Sequence, residues 1–198
     1  WRLKLEWNEF SAIAIGYSML HPNLHRICPD QYSSIRIALR EVRHLGYQRP
    51  GLALNLKSDQ RAMHLWSSGF YGHEIARKPA SFIPVFECNE FSPAELLAWY
   101  RKHKPDVIIG SDPTILKPMQ KAGLKYPGDV GLVLLAGTGD QPDLAGIDQN
   151  ASSIGAAAVE RLVELMYYNE RGVPATARVT LIPSLWHEGS SVVKQTGR

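Results

Sequence analysis

The sequence is poor in cysteine. Of its 198 residues only Cys28 and Cys88 are cysteines, and their spacing matches neither a zinc site nor a redox motif. Two isolated thiols are typical of proteins from a reducing compartment, so we expect a cytoplasmic protein. No apolar run reaches the roughly eighteen residues that a membrane-spanning helix needs. The sequence therefore predicts a chain with no membrane partner.

Motifs for enzyme chemistry are also missing. The sequence has no G-x-S-x-G, no P-loop and no G-x-G-x-x-G. His21 and His25 are four residues apart, which would suit a metal on a helix, but Pro22 and the loop-like composition argue against a helix there. His64 and His73 have no matching cysteine or carboxylate partner. We therefore predict no catalytic residue, no metal, no cofactor and no enzymatic activity.

The excess of basic residues is small. A formal net charge of +3, with lysine and arginine scattered along the chain, does not by itself indicate nucleic-acid binding. The length suits one large domain or two small ones. The chain begins Trp-Arg-Leu-Lys, with neither an initiator methionine nor a signal peptide, and we expect a further region upstream.

Several short apolar runs do not alternate with polar residues. The clearest lie at 51–56, 106–110 and 130–137, and shorter runs at 10–16 and 82–86 are also predicted strands. Uniformly apolar strands are covered on both faces, and the helical patterns between them indicate a parallel sheet. We predict these helices at 33–45, 60–76, 92–104 and 112–123. The fold class is therefore α/β, doubly wound, with ligands bound beyond the carboxyl ends of the strands.

The pattern changes after residue 137. A turn-rich link, TGDQPD, leads to a short extended piece and then to a long alanine-rich helix containing Gly155. Small residues at 155–158 favour close approach of another backbone, so this helix is predicted to pack on a second lobe. A final strand is predicted at 178–183.

Four stretches resemble the effector-binding core of LacI-family bacterial transcriptional regulators. Two are PDQYSSIRIALREVRHLGYQRPGLA, with Tyr47 at the family's usual histidine, and KPDVIIGSDPTILKPMQKAGLKYPGDVGLVLL. The others are IDQNASSIGAAAVERLVELM and LIPSLWHEGSSV. Together they cover most of residues 27–192, and their order and spacing make the resemblance more specific than any one motif.

The resemblance implies a periplasmic-binding-protein type I fold, with two doubly wound parallel-sheet lobes, joining crossover strands and a ligand cleft. Each lobe would combine two segments: 1–30 with 146–177 in an incomplete N-terminal lobe, and 31–145 with 178–198 in the C-terminal lobe. The crossover would occupy Leu144–Asn150. A DNA-binding helix-turn-helix would lie upstream of Trp1, outside this chain.

The function that the resemblance implies is the ligand-sensing core of a transcriptional regulator. A small effector, a sugar or related metabolite, would alter how a homodimer presents its helices to operator DNA. A periplasmic sugar-binding protein is the first alternative, and a signal peptide upstream would favour it. An enzyme on a doubly wound scaffold is the second, although the sequence offers no catalytic constellation for it.

Candidate ligand contacts follow from the same comparison. Asp30 matches an aspartate near the family's cleft, and Asp112 matches a polar-Asp turn at a strand end. Both would also serve as turn or N-cap residues. Gln60 follows an apolar strand and would offer a polar contact. Gln149 matches a crossover position near the cleft, with a solvated hinge residue as the alternative.

Two aromatic residues are also candidate ligand contacts, and several positions differ from the family pattern. Trp66 replaces an arginine that pins polar ligands and would stack on a sugar ring, or else belong to the core of an amphipathic helix. Phe91 lies where the family often has an aromatic over the ligand. Ala136 replaces a common aspartate, and Glu188 replaces an arginine. Ligand chemistry therefore does not transfer directly from the family.

Overall fold

The chain folds into two compact units, seen in a computed structural model that describes residues 4–77 and 82–195. Unit 1 comprises Trp1–Asp30 and Gln149–Ser184, and unit 2 comprises Gln31–Asp148 and Leu185–Arg198. Each unit therefore combines two separate segments of the chain.

The helices and strands alternate through most of the sequence. The strands are β1 (Ala14–Ile15), β2 (Arg26–Pro29), β3 (Pro50–Asn55), β4 (Phe86–Cys88), β5 (Val107–Gly110), β6 (Gly131–Leu134), β7 (Gly146–Asp148), β8 (Val179–Ile182) and β9 (Leu185–His187). The α-helices are α1 (Gln31–His44), α2 (Leu56–Arg61), α3 (Leu65–Arg77), α4 (Pro93–His103), α5 (Leu116–Lys121) and α6 (Ala151–Tyr167). Short 3-10 turns lie at Trp7–Glu9, Pro113–Ile115 and Thr138–Asp140.

Unit 2 is built on a six-stranded sheet with the order β4-β3-β5-β6-β7-β9. Its first five strands are parallel, and β9 closes the sheet antiparallel to β7. Successive side chains of β5 enter opposite cores, since Ile109 belongs to a cluster with α1 and α3 and Ile108 to one with α4 and α5. The prediction of a parallel α/β sheet with both faces covered is confirmed.

The single helix predicted at 60–76 is confirmed only over its later part, because the structure has two helices there, α2 and α3. Met63 and His64 adopt positive φ angles of 56° and 57° and break the chain between α2 and α3. The buried carboxylate of Asp59 caps the second helix, since its Oδ1 accepts from the Ser67 N–H at 3.3 Å.

Helices α1 and α3 pack closely at a glycine. A Cβ built on Gly69 would overlap Cγ2 of Ile35, which is fully buried on α1. Only a residue without a side chain fits this crossing.

Unit 1 contains a three-stranded parallel sheet with the order β1-β2-β8. Helix α6 covers it, with Ile154 and Ala158 packed against Ile27. Strand β2 was not predicted, because its stretch is short and opens with a charged residue. The guanidinium of Arg26 is satisfied by the carbonyl oxygens of Gly16 and Met19, at 2.9 and 3.0 Å.

The strand predicted at 178–183 lies in a different unit from the one expected. Strand β8 pairs in parallel with β2, from Arg26 opposite Val179 to Pro29 opposite Ile182, so it belongs to unit 1 and not to the C-terminal lobe. Residues 146–148, expected in the crossover and N-terminal lobe, form β7 in the sheet of unit 2. Strand pairing with distant partners decides both positions.

The alanine-rich helix forms as predicted, over Ala151–Tyr167. Its close approach occurs at Ala158, which is buried. A Cβ built on Gly155 would meet nothing within 4 Å, so this glycine serves no packing contact.

Within residues 4–77 and 82–195, none of the helices combines the length and the apolar content required to span a membrane.

His25 is a buried histidine at the amino-terminal end of β2. Its Nδ1 accepts from the Arg178 N–H at 3.0 Å, and Arg161 Nη2 lies 3.5 Å from its Nε2. Burial lowers the pKa of His25, and the positive charges of Arg161 and Arg178 lower it further, against the opposing carboxylates of Glu164 and Glu170.

We expect the folded protein to lose stability as the pH falls below 6.5. An unfolded histidine binds its proton near 6.5, whereas folded His25 binds it only at lower pH, so the stabilisation is complete above 6.5 and is lost below it. Urea unfolding at pH values on the two sides of 6.5 measures this loss. It should be larger in the wild type than in His25→Asn, and equal losses in the two proteins would contradict the prediction.

Candidate functional site

The carboxyl ends of β3, β4 and β5 meet at one edge of the unit 2 sheet, because the strands are parallel neighbours. Polar residues lie at the ends of these strands, with Asn55 as the last residue of β3, Asn89 directly after β4 and Ser111-Asp112 directly after β5. We call the group of Asn55, Ser58, Ser111, Asp112 and Thr114 the polar edge. Ligands of parallel α/β sheets bind at this kind of edge.

Asn55 connects three parts of the polar edge. Its backbone N–H donates to Ser111 Oγ at 3.0 Å, and its side-chain Nδ2 donates to the Asn89 carbonyl beyond β4 at 2.7 Å. Its Oδ1 accepts from the N–H groups of Lys57 and Ser58 and so caps α2. The backbone and side chain of this one residue thereby fix the start of α2 relative to β4 and β5.

Asp112 accepts hydrogen bonds from α2 and from the segment that follows β5. Its Oδ2 accepts from Ser58 Oγ at 2.7 Å and from Ser111 Oγ at 3.0 Å. Its Oδ1 accepts from the backbone N–H of Thr114 at 3.0 Å and from the hydroxyl of the same residue. A carboxylate offers about four lone-pair positions. All are occupied here, so Asp112 positions its neighbours and caps the turn that follows.

The same contacts set the charge of Asp112. Burial alone would raise the pKa of this carboxyl, but the hydrogen bonds from Thr114, Ser58 and Ser111 outweigh burial and hold its pKa below the ordinary value of 3.8. Arg61 adds a nearby cation, since its Nη2 donates to Ser58 Oγ at 3.2 Å. Asp112 is therefore a fixed negative charge at neutral pH.

Helix α2 has exposed polar side chains as well as buried ones. Gln60 and Arg61 are both exposed, whereas Ser58 and Asp59 of the same helix are buried. Their amide and guanidinium groups offer hydrogen-bond donors, and the amide an acceptor, to a polyhydroxyl ligand.

The aromatic candidates are both in the core of unit 2. Trp66 is 3% exposed, and its Nε1 donates to Gln31 Oε1 at 2.8 Å. Phe91 is 9% exposed and stacks on Phe86 with ring centroids 6.2 Å apart. These positions favour the core interpretation of Trp66, while a stacking role for either ring stays a prediction.

Two further candidates lie in unit 1. Asp30 follows β2 directly, at the carboxyl end of that strand, and its backbone N–H donates to the Ile182 carbonyl at 2.9 Å. Gln149 begins the second segment of unit 1 and is partly buried. The structure thus distributes the six candidates over two units, with Gln60, Trp66, Phe91 and Asp112 in unit 2.

The sequence identified the loops of the polar edge but missed most of its members. Asn55, Ser58 and Ser111 were not singled out, although Asn55 ends an apolar strand and Ser111 directly follows one. A polar residue at that position is the signal that would have found them. No group of three or more histidine, cysteine or acidic residues able to hold a metal occurs in the described part of the chain.

Comparison with known proteins shows similarity in structure only. No protein-family model matches the chain, and no curated protein matches it. A LacI family transcriptional regulator from Enterococcus faecalis V583 with bound ribose superposes with a TM-score of 0.68 at 14% identity, covering 93% of this chain and 69% of the other. The lactose repressor bound to the anti-inducer ONPF gives 0.66 at 17%, over 91% and 69% of the two chains.

The fold is that of LacI-type effector-binding domains. A periplasmic binding protein/LacI transcriptional regulator from Alkaliphilus metalliredigens QYMF complexed with D-xylulofuranose shares this LacI-type fold. Its TM-score is 0.67 at 18% identity, over 91% of this chain and 70% of that chain. At identities this low, the superpositions establish the LacI-type fold alone. Which ligand each domain binds depends on the side chains of that domain.

Proposed function

We propose that this chain is the ligand-sensing core of a LacI-type transcriptional regulator that binds a sugar or related polar metabolite. The polar edge of unit 2 carries the proposal, because Asn55, Ser58, Ser111 and Asp112 form a preorganised hydrogen-bonded rim at the carboxyl ends of parallel strands. Two solved structures with the same fold contain ribose and D-xylulofuranose.

Within this proposal the six candidates have different roles. Gln60 is exposed on α2 and would contact ligand hydroxyls directly. Asp112 would position the edge, because its own lone pairs are occupied. Asp30, Trp66, Phe91 and Gln149 remain proposed contacts.

The regulatory part of the proposal concerns the whole protein. Sugar binding would shift a two-state equilibrium and thereby change operator DNA binding by a homodimer in the cytoplasm. Regulators of transcription with the same fold support this part. They do not favour the alternative of a periplasmic sugar-binding protein. A reporter that shows no operator dependence with the full-length protein would overturn the regulator assignment.

Sugar binding is tested by calorimetry and thermal unfolding with ribose, xylulose and other pentoses. We expect one of them to raise the melting temperature, since a ligand at a hundred times its Kd stabilises by about 2.7 kcal/mol. We expect Gln60→Ala to weaken binding about tenfold, the loss of one or two hydrogen bonds to the ligand.

The matched control is Gln120→Ala, which removes an exposed glutamine of α5 in the same unit. Both variants should unfold at the temperature of the wild type without ligand, since both side chains are exposed. Equal sugar affinity in Gln60→Ala and Gln120→Ala would exclude a direct contact between Gln60 and the sugar.

A further inference from the structure

A pocket lies in unit 1 at the amino-terminal ends of its parallel strands, not at their carboxyl ends. His25 immediately precedes β2 and Arg178 immediately precedes β8, so both lie at the amino-terminal ends of parallel strands. They line a pocket of about 540 Å³ together with Arg161, Arg171 and Glu164. A smaller pocket of about 230 Å³ shares His25, Arg161, Glu164 and Arg178.

The hydrogen bonds of His25 determine where its proton lies. Its Nδ1 accepts from the backbone N–H of Arg178 at 3.0 Å, so Nδ1 carries no hydrogen. A neutral imidazole has one N–H, which must then be on Nε2. The Nε2–H therefore lines the pocket as a donor on a side chain that is only 6% exposed.

This buried donor faces another donor. Arg161 Nη2 lies 3.5 Å from Nε2, and a guanidinium has no acceptor to offer. Among the described residues, no acceptor is hydrogen-bonded to Nε2. A buried donor without an acceptor is costly, and an oxygen atom placed between Nε2–H and Nη2 would accept from both.

The charges around the pocket favour an anionic oxygen. Arg161, Arg171 and Arg178 contribute three positive charges, and two glutamates contribute two negative charges. Glu164 Oε2 lies 2.5 Å from Nη1, the other terminal nitrogen of Arg161. This ion pair does not occupy Nη2, which lies next to His25. Glu170 Oε2 is 3.9 Å from Nη2, beyond hydrogen-bond distance, and its side chain is half exposed.

We propose that His25 Nε2–H, Arg161 Nη2 and the Arg178 guanidinium form a binding site for a phosphate group in unit 1. Phosphate supplies several acceptor oxygens and about two negative charges near neutral pH, matching two donors and a rim of arginines. A pocket of about 540 Å³ has room for a phosphorylated metabolite of sugar size as well as for free phosphate. This site is separate from the polar edge and does not depend on the function proposed for it.

The test uses inorganic phosphate and ribose 5-phosphate at slightly alkaline pH and low ionic strength. Calorimetry should show one site, and the imidazole nitrogen resonances of His25 should shift on addition of either ligand. We expect the Kd for phosphate to rise about tenfold in His25→Asn and in Arg178→Gln, through the loss of charge-assisted hydrogen bonds. The His25→Asn substitution retains a side-chain oxygen that can accept from the Arg178 N–H, so the fold is preserved.

Arg40→Gln is the matched control, because Arg40 is an exposed arginine of unit 2 that pairs with Glu41 at 2.7 Å. The proposal is overturned if Arg40→Gln weakens phosphate binding as much as Arg178→Gln does. It is also overturned if His25 resonances do not respond to phosphate. Tighter binding of ribose 5-phosphate than of inorganic phosphate would identify a phosphorylated metabolite as the occupant, and equal binding would identify free phosphate. Both outcomes support the site, and unphosphorylated ribose should leave the His25 resonances unchanged.

Discussion

Replacing Asp112 with alanine is expected to lower the free energy of unfolding by about 3 kcal/mol. The change removes the acceptor of Ser58 Oγ and Ser111 Oγ, both on buried residues, and the cap on the Thr114 N–H. Buried hydroxyls left without an acceptor account for most of the loss. Urea unfolding followed by circular dichroism measures it.

Two further variants separate the contributions to this effect. Asp129→Ala removes an exposed carboxylate that accepts from the Lys125 N–H at 2.9 Å, and should cost about 1 kcal/mol or less. Asp112→Asn keeps the shape and one acceptor oxygen but loses the charge, and should fall between the two. An Asp112→Ala loss no larger than that of Asp129→Ala would show that the polar edge is not cooperatively bonded.

Acid should diminish the advantage of the wild type over Asp112→Asn. The folded pKa of Asp112 is below 3.8, so its charge contributes stability that is complete above 3.8 and is lost as the pH falls through the folded pKa. The difference in unfolding free energy between the two proteins should therefore be largest near neutral pH and shrink below pH 3.8. A difference that stays constant well below that pH would contradict the assignment of this charge.

Replacing Gly69 with alanine is expected to destabilise the protein by about 2 kcal/mol, even though alanine is the better helix former. The new methyl group would overlap Cγ2 of Ile35, and the ring of Tyr32 lies 3.3 Å from its position. Ile35 is β-branched, fully buried and held on a helix, so it has little freedom to withdraw. Helices α1 and α3 must separate instead.

Replacing Gly155 with alanine is the matched substitution, and its effect on stability is expected to have the opposite sign. It also lies inside a helix, but a Cβ there meets nothing within 4 Å. Gly155→Ala should therefore stabilise the protein by about 1 kcal/mol, the helix-propensity difference alone. Thermal and urea unfolding of the two variants would test the pair. Stabilisation by both substitutions would mean that α1 and α3 do not cross as described.

Much of unit 2 could be predicted from local sequence. Uniform apolar runs such as those at 106–110 and 130–137 indicate buried parallel strands. Ser92 followed by Pro93 marks the start of α4, with a side-chain cap on the Glu95 N–H. These signals depend only on neighbours within a few residues, which is why they are readable from the sequence.

Features that depend on distant partners were not predictable in the same way. Nothing near Val179 shows that its strand pairs with β2 rather than with the sheet of unit 2. Met63 and His64 adopt positive φ without the glycine that usually signals it, so the helix break was missed. The polar edge likewise depends on a bond from Asn55 N to Ser111 Oγ, 56 residues apart in sequence.

The last strands of the chain have a consequence for its synthesis on the ribosome. Strand β8 supplies an edge of unit 1, and β9 supplies an edge of unit 2. Both come from residues 179–187, after the strands with which they pair. Until residues 179–187 have been synthesised, a nascent chain therefore has no partner for one edge of β2 and one edge of β7, and exposed strand edges promote aggregation. Premature termination before residue 179 would leave each of the two sheets without one edge strand. Such products should therefore be substrates for chaperones and proteases rather than partly active proteins.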